Sequence, residues 1–332
     1  MAARFKLDPY VASIALTAGL AALVPARGQA AAVLDGVVTV AITLVFFLYG
    51  AKLPTARALA GLRRWRPQVA IVVLTFGLFP LLALVCAPLV PAVLDARLYA
   101  GVVFLCALPS TVQSSVTLTG IARGDEATAI CAASLSNVLG VVLTPLLTAL
   151  LLATGGGAAG SPLDSLGGIV LRLLLPFLLG QLAQRWIGDR VRAHGKRLGL
   201  FDRGVILLVV YAAFSQGIVA GVWHRLEPSR LAVLLLVVAA LLAAALGAAR
   251  VLARRLGLSR EDRVAVLFCG SQKSLASGLP MASVLFAGGD VGLIVLPLML
   301  YHQLQLLVCA WIAQRSAAAV PAPAAEPVPA PA

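Results

Sequence analysis

Long apolar runs, each near the roughly 20 residues that cross ~30 Å of hydrocarbon as a helix, alternate along this chain with short polar stretches. The runs predict ten spans near residues 9–25, 35–53, 68–90, 97–121, 125–153, 166–187, 199–221, 230–253, 262–287 and 290–314. Two of them are interrupted. In the fourth, the apolar stretch 102–108 gives way to Pro-Ser-Thr-Val-Gln-Ser-Ser at 109–115; in the ninth, 265–268 gives way to Cys-Gly-Ser-Gln-Lys-Ser at 269–274. Pro109 has no N–H and disfavours helix at the residue before it, and Gly270, Gly278 and Pro280 weaken the ninth span, so helical hydrogen bonding is expected to fail near the middle of both. The freed backbone groups need partners. Ser110, Thr111, Gln113, Ser114, Ser115 and Thr117 on one side, and Ser271, Gln272, Lys273, Ser274 and Ser277 on the other, supply hydroxyls, amides and an ammonium at similar depth. Such groups are costly in a membrane unless they line a protein-enclosed cavity, and a pair of interrupted spans at matching places in two halves points to a transporter binding site.

Ten spans divide into five and five, and an odd number per half inverts the second half. Val103-Phe-Leu-Cys106 is echoed by Val266-Leu-Phe-Cys269, and Gly124-Asp125 by Gly289-Asp290, at offsets of 163 and 165 residues. The expected fold is therefore an all-α polytopic membrane protein of two inverted five-helix repeats, 1–153 and 154–316, with helices 4 and 9 broken and crossing. The Ala/Pro-rich stretch 317–332 is expected to be disordered. Arg4, Lys6 and the apolar stretch after them imitate a signal peptide, but Asp8-Pro9 favours an uncleaved first span.

The formal charge of +13 suggests a nucleic-acid partner only until the charges are placed. Loops 52–67, 185–203 and 250–263, with both termini and Arg123, hold 20 of the 26 Lys and Arg residues, whereas the opposite loops hold Arg27, Arg97, Arg225 and Arg230. That asymmetry puts both termini in the cytoplasm and gives the basic clusters a topological role beside the lipid bilayer rather than a nucleic-acid one. The acidic residues are expected in loops or at span ends. The five cysteines are scattered through apolar segments, without disulfide or metal-ligand spacing. His302 is a lone histidine within a span, and no phosphate loop or nucleotide fingerprint is present.

The motifs around the breaks resemble those of the bile acid:sodium symporter family, in particular its divergent bacterial SBF-like branch. The resemblance covers nearly all of residues 5–315 and rests on Ser114-Ser-Val-Thr-Leu-Thr-Gly-Ile-Ala-Arg-Gly-Asp125, Leu143-Thr-Pro145, Thr75-Phe76 with Pro80, and Gly270-Ser-Gln-Lys-Ser-Leu-Ala-Ser-Gly-Leu-Pro280. It implies a ten-helix inverted repeat with a panel and a core domain in a bacterial cytoplasmic (inner) membrane, and sodium and substrate beside the crossing of the fourth and ninth helices. By the same resemblance Ser114, Ser115 and Gln272 fall on cation-ligand positions. The family's acidic ligand falls on Phe268, its third-span glutamine on Thr75, and its fifth-span hydroxyls on Ala129 and Ala133.

Lys273 stands where the symporters often carry Asn. An ammonium there can replace a cation, titrate, or pair with an anionic substrate; with no carboxylate at its depth in the sequence, the last reading favours a partner from outside the protein. The functional expectation is secondary transport of a small organic anion or amphipathic acid by alternating access, with no cofactor beyond sodium, whose role Lys273 leaves open. The alternatives are a receptor or channel of the same fold, and an intramembrane hydrolase built on Ser271, Lys273 and Ser274. Substrate identity, transport direction and oligomeric state are not encoded legibly.

Overall fold

A computed structural model describes residues 9–52, 64–90, 94–154, 162–219, 221, 227–287 and 291–318, and among them there is helix and no strand. The helices are α1 (Pro9–Leu23), α2 (Gln29–Lys52), α3 (Trp65–Leu89), α4 (Ala96–Ala107), α5 (Gln113–Ile121), α6 (Glu126–Thr154), α7 (Pro162–Ala193), α8 (Gly195–Val219), α9 (Pro228–Arg255), α10 (Arg260–Ser271), α11 (Leu275–Leu285) and α12 (Val291–Ala318). Among the described residues α2, α3, α6, α8, α9 and α12 are each long and apolar enough to cross a bilayer alone. The expected tail from 319 onward, and the second Gly-Asp pair at 289–290, lie outside the described residues; residues 317 and 318 belong to α12.

Both expected interruptions are present. α4 has 12 residues and α5 has 9, and α10 has 12 and α11 has 11. At about 1.5 Å of rise per residue none of these pieces crosses ~30 Å alone. α4 starts at Asp95, whose carboxylate accepts from the Arg97 N–H at 2.8 Å, and it stops where Leu108, the residue before Pro109, turns extended at φ −71°, ψ 152°. α10 starts at Ser259, whose hydroxyl accepts from the Asp262 N–H at 3.1 Å, with Glu261 and Asp262 in the positive first turn; it ends where Gln272 is extended at φ −90°, ψ 146°.

The helices pack as two groups. α1 lies on α8 and α2 on α7, and α2 also touches α8. The α2–α7 contact is close because glycines face backbone: a Cβ at Gly50 would strike the Phe177 carbonyl, and one at Gly180 the Phe47 carbonyl. α3 to α6 and α9 to α12 form the second group, joined to the first mainly where α6 meets α7 and where α8 meets α11 and α12.

The span boundaries read from hydropathy needed correction. α2 begins at Gln29, ahead of the expected 35, so Asp35 lies inside a helix and takes a hydrogen bond from Gln216 Nε2 at 3.0 Å. The expected loop 185–203 is almost wholly helical, α7 running to Ala193 and α8 starting at Gly195, and Asp202 inside α8 accepts from Tyr49 OH at 2.6 Å. Hydropathy marks the apolar thickness; Arg, Lys and Gln are good helix formers and carry helices past it.

At the end of the second group bearing Arg64, α5 closes with the Gly124 N–H on the Thr119 carbonyl at 2.8 Å and Arg123 in the left-handed region at φ 55°. Arg64 pairs with Asp125 and, at 3.4 Å, with Asp262, so three chain segments meet on one guanidinium. Burial pushes the Asp125 carboxyl up, but the Thr128 N–H and hydroxyl and the Arg64 charge outweigh it and hold the carboxyl below its usual range.

Candidate functional site

The two breaks face each other, and the backbone groups freed by one are satisfied by the other or by helices beside it. Between 106 and 110 every carbonyl has a named partner. Lys273 Nζ donates to Cys106 O at 3.0 Å and Leu108 O at 2.7 Å, Thr144 Oγ1 to Ala107 O at 2.9 Å, the Ser274 N–H to Pro109 O at 2.9 Å, and Asn137 Nδ2 to Ser110 O at 2.8 Å. On the second strand of the crossing, Ser110 Oγ donates to Cys269 O and Tyr301 OH to Ser271 O, both at 2.6 Å, while Thr111 Oγ1 and Gln305 Nε2 donate to Lys273 O, both at 3.0 Å. Unpaired carbonyls at this depth would each carry a desolvation penalty, and polar side chains of the two breaks and of the helices beside them remove it.

Lys273 is wholly buried. Its third ammonium bond goes to Thr75 O at 3.0 Å, a carbonyl exposed by the π-bulge Leu74–Leu78 in α3, and the charge also sits 3.9 Å from the centre of the Phe79 ring. An ammonium has three donors, and all three are used. The charge therefore lies at the negative C-terminal end of α4, where a cation is favoured by the helix dipole. The ammonium's donors are thus satisfied by backbone oxygen, which a sequence count of carboxylates overlooks. Of the two serines near Lys273 in sequence, Ser271 bonds back to Leu267 O at 2.6 Å and Ser274 Oγ donates to Ser277 Oγ at 3.1 Å.

Beside this cage is a second polar cluster. Ser114 Oγ and Ser115 Oγ both lie on Gln272 Oε1, at 2.7 and 2.9 Å, and the buried Gln272 Nε2, which has no oxygen or nitrogen partner, is directed to the Cys309 thiol. Three neutral oxygens, bonded to one another, are a thin set for a hard cation, which prefers six or more oxygen ligands in the calcium case. Phe268, Ala129 and Ala133 are fully buried and bring only apolar side chains.

The other residues singled out in the sequence divide as follows. Ser110, Thr111, Ser114, Ser115, Ser271, Gln272, Lys273 and Ser274 meet at the crossing; Ser274 caps α11 by accepting the Ser277 N–H at 3.1 Å. Thr75 joins through its carbonyl, its hydroxyl being buried and unpartnered. Gln113 is exposed at the start of α5 and is not drawn into the cluster. The sequence reading missed Asn137, which accepts from Ser277 Oγ at 2.8 Å as well as donating to Ser110 O, and Gln305, Tyr301 and Ser136, whose hydroxyl takes the Ser110 N–H at 3.0 Å. An amide inside an apolar span, as at Asn137 and Gln305, was the available signal.

The model of the SBF-like CPA transporter family (DUF4137) matches residues 8–318. The uncharacterised protein PA2026 of Pseudomonas aeruginosa is 48% identical over 314 residues, 95% of this chain and 94% of its own. The candidate symporter YfeH of Escherichia coli K12 is 43% identical over 309 residues, 93% of this chain and 92% of its own. Sodium/bile acid cotransporter 7 of Rattus norvegicus is 28% identical over 313 residues, 92% and 91% of the two chains.

Proposed function

The chain belongs to the SBF-like CPA transporter family, and on that premise we propose that it is a secondary transporter that moves a small organic anion or amphipathic acid across a bacterial inner membrane by alternating access. That it is a membrane transporter follows from the family and the apolar helices; the substrate class, the mechanism and the coupling are our reading. The rat relative is named for bile acid and sodium, which supports an organic acid as the cargo here.

The observation that carries the reading is the pair of broken helices whose breaks face each other within an apolar helical bundle. The freed carbonyls of each break are held by side chains of the other, Ser110 and Thr111 on Cys269 O and Lys273 O, Lys273 on Cys106 O and Leu108 O. The two packed groups of helices supply bodies that can rock against one another about the paired breaks, and the reciprocal contacts of α1 with α8 and α2 with α7 support the ten-span inverted repeat, with repeats at 1–153 and 154–316; the Lys and Arg distribution between loops supports both termini being cytoplasmic. Sodium has few oxygens to use, whereas Lys273 already puts a positive charge among the carbonyls of the breaks. In this reading Lys273 is a tethered cation and transport does not require sodium at that place. Reconstitution into liposomes, with a thermal-shift and uptake screen of organic acids, tests the proposal; a protein that is stabilised by no acid and moves none would refute it.

A further inference from the structure

We propose that His302 is a proton-binding site that controls the α10/α11 break. The proposal rests on the transporter reading only for its meaning; its geometry stands alone. Gln305 is wholly buried, accepts from the Lys273 N–H through Oε1 at 2.8 Å and donates to the Lys273 carbonyl through Nε2 at 3.0 Å. A backbone N–H can only donate and a carbonyl only accept, so the chain itself fixes which end of the amide is which. The second Nε2 proton then points at His302 Nδ1, 2.9 Å away and one helical turn earlier on α12. A ring nitrogen facing a donor presents its lone pair. The geometry thus assigns His302 the neutral tautomer with its proton on Nε2.

Proton uptake at Nδ1 reverses this. The imidazolium donates at both nitrogens, so Nδ1–H and the amide N–H meet head on, the bond is lost, and either the ring withdraws or the amide turns away from Lys273. Because Gln305 holds both backbone groups of Lys273, and the next residue, Ser274, is bonded to Pro109 O, a proton at His302 acts directly on the contact between the two breaks. A proton that binds one geometry better than the other shifts the population toward it, and a transport cycle that changes the geometry changes the proton affinity in return.

The setting suits such a site. His302 is half-buried on the helix that α8 of the other group contacts. Of the elements packed on α12, α5 and α11 carry no titratable side chain; α3, which meets it at Phe79 and Tyr301, carries Arg66 and Cys86; α4 carries Arg97, Tyr99 and Cys106; α8 carries Lys196, Arg197, Asp202, Arg203 and Tyr211; α9 carries Arg230, Arg250, Arg254 and Arg255; α10 carries Arg260, Glu261, Asp262, Arg263 and Cys269. The charged ones on helices sit within two turns or so of helix ends; Cys106 and Lys273 stand at the breaks, and Tyr211 with α12's own Tyr301 and Cys309 are in helix interiors.

Two measurements on the full chain in lipid nanodiscs test this without any substrate. In protein labelled with nitrogen-15 histidine and carrying His194→Gln and His224→Gln, the His302 signals should show an unprotonated Nδ1 at pH 8 and titrate on acidification; a protonated Nδ1 at pH 8 would overturn the proposal. Hydrogen exchange at residues 272–274, corrected for intrinsic rates, should lose protection by about tenfold between pH 8 and 5 in wild type, the scale of one lost buried hydrogen bond. His302→Gln keeps an acceptor but cannot titrate and should stay protected throughout; equal loss in that variant, or no loss in wild type, would overturn the proposal. Neither readout depends on cargo, so failure of the transporter reading would appear separately, as absence of uptake.

Discussion

Replacing Lys273 by Met asks what holds the crossing together, and the two accounts of the lysine differ in sign. Met keeps the aliphatic stem and deletes the ammonium. If Lys273 were only a tolerated charge in a span, its removal would relieve an unfavourable burial of about 2.5–3.5 kcal/mol and stabilise the protein. The structure says otherwise: Thr75 O, Cys106 O and Leu108 O would all lose their donor at once. A buried acceptor left unpaired costs roughly 1–3 kcal/mol, so three cost on the order of 6 kcal/mol, and after the relief of burial a net destabilisation of about 3 kcal/mol remains. Lys273→Ala should cost about 2 kcal/mol more, because the stem leaves a cavity. Unfolding in detergent by titration with sodium dodecyl sulfate, followed by far-ultraviolet circular dichroism, measures the difference. An unchanged or raised midpoint for Lys273→Met would refute the carbonyl-cage reasoning.

Gly140→Ala sets a methyl against the Pro109 ring, whose Cβ and Cγ lie 2.8 Å from the added carbon; a proline at the break cannot swing aside, so a loss of about 1–3 kcal/mol is expected in the same titration. Asp125, held below the usual carboxylate range, contributes stability that is full above the unfolded value of about 3.9 and disappears as pH falls through its lower folded value. Asp125→Asn should therefore be less stable than wild type at neutral pH and lose less on acidification below pH 4, and parallel acid limbs for the two would count against the Arg64 cluster. For orientation, a cysteine at Gly195 should resist a membrane-impermeant thiol reagent on intact cells while one at Glu227 reacts, and labelling at Gly195 would reverse the topology.

Much of this site was written in residue order. Pro109 and Gly270 announced the breaks, and the hydroxyls after them identified which residues would meet, because an apolar span can hold such groups only if they find each other. What stayed hidden was backbone. Thr75 reads as a side-chain ligand position, yet it contributes a carbonyl released by a π-bulge that no residue between Leu74 and Leu78 signals. Lys273 reads as a charge without a counter-charge, since its partners are carbonyls of α3 and α4 far away in sequence. Gln305 and Asn137 were visible as amides inside apolar spans, but their pairing with Lys273 and Ser277 depends on which helix faces lie together. Helix ends were misread at Gln29 and across 185–203 because hydropathy reports the slab and not the hydrogen-bond ladder.

The most direct test of the central claim is the initial rate of uptake into proteoliposomes of an organic acid taken from the screen, measured with external sodium and again with choline in its place. With Lys273 as the resident cation and Phe268, Ala129 and Ala133 where ligands would be needed, the two rates should agree within about twofold. A tenfold or greater collapse in choline would show that a working sodium site exists at the crossing, and would contradict the account.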